Sequence, residues 1–170
     1  VTVAGLVNYI TPNPPPKTTF SLKLIGGNRD YFNGNAQFGG TFGKTGVLFN
    51  FNCKQGEGAR ENVRSGLNDF SSKIVQTLND NNILTAKFSF FNEDSQVTYS
   101  GLTEAEYAVN PRQNPFLNDR FDGWRTGFSL QHVVVFNSKM NLTTSFYNNY
   151  FSRDWWRQSS NSAQRPNRLT

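Results

Sequence analysis

Arginine is the residue type best equipped to do chemistry in this chain. It stands at Arg29, Arg60, Arg64, Arg112, Arg120, Arg125, Arg153, Arg157, Arg165 and Arg168. A guanidinium is a planar fork that grips carboxylates and phosphates through paired hydrogen bonds, whereas lysine offers a hydrated point charge. With a formal net charge of +5, such a set suits the attraction of an anionic ligand. The plainer role for any one arginine is contact with an acidic neighbour such as Glu57, Glu61, Asp119 or Asp154, a contact worth little at a surface.

Other reactive side chains are sparse. One His and one Cys exclude a zinc site built from those ligands. His132 shares its parity with Leu130 and Val134, so it faces lipid or a neighbouring strand rather than a metal. Cys53 sits among Phe positions and reads as a small apolar residue. The pairs Gly26-Gly27 and Gly39-Gly40 lack the strand-to-helix setting of a phosphate loop. Glu104 and Glu106, two apart in a loop, have no arrangement for general acid–base work. No enzyme emerges.

The elements that must carry these arginines alternate with a period of two, the signature of strands with one apolar face. Phe20, Leu22 and Leu24 oppose Ser21 and Lys23. Ala36, Phe38, Gly40 and Phe42 oppose Asn35, Gln37 and Thr41. Val47, Phe49, Phe51 and Cys53 switch parity, and Leu84, Ala86, Phe88 and Phe90 follow. Trp124, Phe128, Leu130, Val134 and Phe136 oppose Arg125, Gly127, Ser129 and Gln131. Leu142, Phe146 and Tyr150 oppose Asn141, Ser145 and Asn149. The stretch around Ile74 and Val75 leaves its facing open. Helical periodicity is absent, so the reading is all-β, an antiparallel meander of about seven segments of about ten residues.

Connections alternate too. Residues 43–46, 79–82 and 137–139 are compact turns of Gly, Asn, Asp, Ser, Thr and Lys. Residues 55–69, 92–123 and those after Trp156 are long and polar, and 26–30 is one short exception on the long-loop side. Every arginine falls on the long-loop edge, while Lys44 and Lys139 mark the other. Short turns on one edge and long loops on the other, with Trp124, Tyr150, Trp155 and Trp156 at strand ends, point to part of a transmembrane β-barrel. The composition agrees: of 170 residues only 17% are charged while 15% are aromatic, with 16 Phe. A mean hydropathy of −0.58 and no apolar run of about 18 residues exclude a spanning helix but not spanning strands. A passive porin-like barrel and a secreted β-sandwich ligand-binding module, with Trp155 and Trp156 stacking on sugars, share the alternation and stay open here.

Val3, Ala4, Gly5, Leu6, Val7, Asn8, Tyr9, Ile10 and Thr11 resemble the segment that closes the plug of TonB-dependent outer-membrane receptors. Pro12, Pro14, Pro15 and Pro16 resemble the link that follows it. The stretch 100–112, with Ser100-Gly101-Leu102-Thr103-Glu104-Ala105-Glu106-Tyr107 and Asn110-Pro111-Arg112, resembles a long loop of the ferric citrate class of these receptors. So does the run from Phe146 to Trp155. The resemblance implies that residues 1–12 end a plug domain and residues 13–170 form the N-terminal part of an outer-membrane β-barrel of about 22 strands. The chain is then a fragment, without the energy-coupling motif and most of the plug. It implies TonB-dependent uptake of a ferric chelate, ferric citrate or another carboxylate siderophore, across the outer membrane of a Gram-negative bacterium. Its partners would be that chelate, the TonB complex through the plug, and outer-membrane lipid and lipopolysaccharide, with no nucleic acid. Iron arrives already chelated, so no cofactor or protein metal site is expected. Arg153 is the local match to a chelate-holding arginine, and its parity also sends it to the polar face. Arg165 or Arg168 matches a second in the following loop, and Arg125 joins them on parity.

Overall fold

The computed structural model describes Gly5, residues 10–96, Thr98 and residues 100–157. Seven strands form one antiparallel sheet in chain order. They are β1 (Thr19–Gly26), β2 (Phe32–Phe42), β3 (Thr45–Glu57), β4 (Arg64–Asn79), β5 (Asn82–Gln96), β6 (Arg120–Asn137) and β7 (Met140–Trp156). One short helix, α1 (Glu104–Val109), lies between β5 and β6.

Turn chemistry sets the meander. Gly43 takes φ of +60°, a left-handed conformation natural to glycine. In the other two tight turns an asparagine side chain closes the corner. Asn79 Oδ1 accepts from the Asn81 amide at 3.0 Å and from Asn82 Nδ2 at 2.8 Å. Asn137 Oδ1 accepts from the Lys139 amide at 2.9 Å. These three connections share one edge of the sheet; residues 27–31, 58–63 and 97–119 connect strands on the other.

Register decides which side chains share a face, because directly paired residues in an antiparallel ladder project to the same side. Phe20, Phe38, Phe49, Ser72, Phe88 and Phe128 are paired in sequence across the sheet. Ser21, Gln37, Asn50, Ser71, Ser89, Gly127 and Asn149 form the corresponding row on the opposite face. The expected parities hold in every strand where alternation was legible, and register resolves β4 by placing Phe70 and Ile74 on the apolar side. Leu48 and Phe116 are the buried apolar side chains of the described residues, whereas Phe20 and Phe146 are 69% and 61% exposed. The described residues contain one sheet and no second layer over its apolar face.

Two expectations change. The strands are longer than about ten residues: β4, β5, β6 and β7 have 16, 15, 18 and 17. Their upper ends, such as 93–96, 120–123 and 153–156, mix polar residues onto both faces and so show no alternation. The long connections shrink accordingly. The loop at 97–119 also holds the unexpected α1, begun by a capping box: the Thr103 hydroxyl accepts from the Glu106 amide while the Glu106 carboxylate accepts from the Thr103 amide. The Thr103-x-x-Glu106 spacing was a readable helix start.

Candidate anion-binding mouth

At the long-loop edge, two rows of the polar face bring the candidate arginines together. One row pairs Lys54, Leu67, Glu93, Gly123 and Arg153; the next pairs Asn52, Asp69, Phe91, Arg125 and Phe151. Arg125 and Arg153 are therefore diagonal neighbours on β6 and β7, a relation that puts Cβ atoms roughly 7–8 Å apart. Gly123, directly opposite Arg153, contributes no side chain to the space between them. The Arg125 guanidinium lies over the Phe91 ring at 5.7 Å, and that of Arg153 over Trp155 at 5.7 Å. Such stacking leaves the hydrogen-bonding edge of the fork open. Among the described residues neither forms an ion pair; the nearby Glu93 carboxylate accepts instead from the Ser95 hydroxyl at 2.6 Å.

Other arginines at this edge are engaged in building it. Arg60 Nη1 donates to the Ser100 carbonyl at 2.9 Å and Arg112 Nε to the Ala59 carbonyl at 3.2 Å. Asn62 Nδ2 reaches the Leu117 carbonyl at 2.7 Å, and the Glu61 amide donates to the Arg112 carbonyl at 2.6 Å. The loops at 58–63 and 97–119 are thus stitched to one another, mainly through backbone carbonyls rather than the acidic partners expected. Phe116, Pro115 and Ser95 are fully buried, with Glu106, Gln113, Asn114 and Asp119 close to it. Arg120 pairs with Asp94 at 3.4 Å and Asp122 at 3.0 Å.

No family model matches the sequence, and no curated protein matches it. Solved structures do. The crystal structure of the ferric citrate transporter FecA in its unliganded form has 18% identity and a TM-score of 0.78, covering 91% of this chain and 24% of that one. The ferric-catecholate import receptor Fiu from E. coli K12 in its open form has 13% identity and a TM-score of 0.73, covering 85% and 25%. The shared fold is the seven-stranded antiparallel meander, which matches a β-barrel segment of those structures. At such identities the likeness concerns fold, and this chain spans about a quarter of each structure's length. Those proteins are a transporter and an import receptor, not enzymes.

Of the expected site residues, Arg125 and Arg153 are diagonal neighbours in the β6–β7 ladder, while Arg165 and Arg168 lie outside the described residues. So does most of the plug-like motif, including Val3, Ala4 and the run from Leu6 to Tyr9. His132 lies on the apolar side, its Nε2 3.1 Å from Asn82 Oδ1, and Cys53 is a half-buried free thiol on the same side. Among the described residues no group of His, Cys, Asp and Glu could hold a metal. Trp155 is a correction. Its register with Phe121 puts it on the polar face beside Arg153, while Trp156 and the pair Trp124 and Tyr150, 4.9 Å apart, keep the apolar side expected of the girdle. The rings of Phe91, Phe151 and Trp155 around the arginines were missed. Odd parity, already established by Arg125 and Arg153 in their strands, was the signal for Phe151 and Trp155.

Proposed function

We propose that this chain is the end of a plug, residues 1–12, and the first part of the barrel, residues 13–170, of a TonB-dependent receptor. The receptor imports a ferric chelate across the outer membrane of a Gram-negative bacterium. The diagonal placement of Arg125 and Arg153 on one polar wall, with Gly123 opposite Arg153, carries this reading. Two open guanidinium forks on one polar wall match an anionic chelate too large for a single side chain, and the charge-assisted bonds strengthen where loops exclude water. Arg165 and Arg168 are included as further chelate-holding arginines on the resemblance alone. The apolar face meets lipid, the loop edge meets lipopolysaccharide, and the TonB complex acts through the plug. Ferric citrate or another carboxylate siderophore is the substrate favoured by the arginines and by the loop motifs around Ser100 and Phe146.

A catecholate chelate is the second reading, supported by the rings of Phe91, Phe151 and Trp155, which could stack on aromatic ligands. Equilibrium binding of ferric citrate and of a ferric catecholate to the complete receptor separates the two. The carboxylate reading expects citrate to bind at least tenfold more tightly and to weaken with Arg153→Ala. Tighter catecholate binding that is lost with Phe151→Ala would reverse the assignment.

A further inference from the structure

A strap of residues 11–16 crosses the polar face of β2, β3 and β4 and is held at one point. Lys73, in the middle of β4, is only 8% exposed. Its Nζ donates to the Thr11 carbonyl at 3.3 Å, the Pro12 carbonyl at 3.1 Å and Asn13 Oδ1 at 2.7 Å. Three acceptors match the three N–H bonds of an ammonium. A little further along, the Thr41 hydroxyl donates to the Pro15 carbonyl at 2.9 Å.

The wall beneath is cut to fit. A Cβ at Gly39 would come within 2.8 Å of Pro15 Cδ, and one at Gly46 within 2.9 Å of Pro14 Cβ. The glycines let two prolines lie against the sheet, and proline's fixed φ stiffens the strap. Lys73 also stands directly opposite Lys87 in the β4–β5 ladder, an arrangement of like charges that destabilises a sheet. The oxygens of the strap offset that cost, so wall and strap are built for one another.

We infer that Lys73 moors the strap. It fixes the place where the chain leaves the barrel wall, so that any plug movement during import ends at Thr11 and residues 11–16 stay in place. Only the consequence for import rests on the receptor reading above; the clamp itself does not.

The test uses spin labels at Thr11→Cys, the first residue of the strap, and Gln131→Cys, which borders the groove beside it, in the complete membrane protein with Cys53→Ala. The expected result is a single narrow distance distribution that does not shift on adding ferric chelate. Lys73→Met should at least double its width, and Thr41→Val, which spares the charge, should broaden it less. Lys73→Met should also slow import severalfold while chelate affinity stays within twofold. A Lys73→Met distribution as narrow as wild type, a wild-type distribution that shifts with chelate, or unchanged import in a variant with a broadened distribution would each overturn the mooring. A protein that binds no ferric chelate removes the receptor reading instead, and the width still judges the clamp.

Discussion

Arg125 and Arg153 differ from Arg60, Arg112 and Arg120 at the same edge in what they touch. Arg60 and Arg112 end on backbone carbonyls of a neighbouring loop and Arg120 on two carboxylates, whereas Arg125 and Arg153 rest on aromatic faces. A hydrogen bond to a charged group contributes about 1.5–3 kcal/mol, so Arg153→Ala should weaken chelate binding by about tenfold to a hundredfold in an equilibrium titration. Arg153→Lys keeps the charge but not the fork, and should recover only part of that loss. Affinity unchanged by either substitution would remove Arg153 from the mouth. Arg112→Ala should leave affinity intact while raising hydrogen exchange at the Glu61 amide, whose acceptor is the Arg112 carbonyl. Arg153 was legible through its parity and the run from Phe146 to Trp155. Lys73 was not, because its partners lie about sixty positions away in sequence and only register brings them together.

At the scale of the strand, parity separates two environments one residue apart. Phe128 is on the apolar face, in a row with Phe88 and Phe49, while Ser129 is on the polar face opposite Lys87 and Tyr147. A basic side chain on the lipid face near the bilayer midplane costs about 2–4 kcal/mol. Phe128→Arg should therefore lower the unfolding free energy in lipid by about that amount, and Gln131→Arg, on the polar face between the neutral Thr85 and Ser145, should change it little. Equal costs at both positions would mean that the sheet does not divide lipid from water. The same parity explains how far the strands could be read. β1, β2, β3 and β5 alternate strictly where one face is apolar, and their facing was plain. In β4 the adjacent Ile74 and Val75 defeat the pattern, since Val75 turns to the polar side opposite Thr85. Strand ends that rise past the apolar band have polar residues on both faces, so their pairing became visible only through register.

At the scale of the molecule, the sheet has an apolar face with no cover among the described residues and two outer strands, β1 and β7, each paired on one side only. Unpaired strand edges and an uncovered apolar face are costly alone, and closure into a larger barrel in lipid, as proposed above, would resolve both. The solved structures of similar fold are about four times as long, in keeping with a wall segment. The period-two pattern and the alternation of short and long connections made the meander and its loop edge legible; the stitching of loop 58–63 to loop 97–119 was not, because it depends on carbonyl positions. The central claim is that the polar wall at Arg125 and Arg153 holds a ferric chelate. Equilibrium binding of ferric citrate to the complete protein and to its Arg125→Ala/Arg153→Ala variant, with folding checked by detergent-resistant compactness, tests it most directly. Saturable binding by the wild type that weakens at least a hundredfold in the folded double variant is the expected result; equal affinity in the two proteins would contradict it.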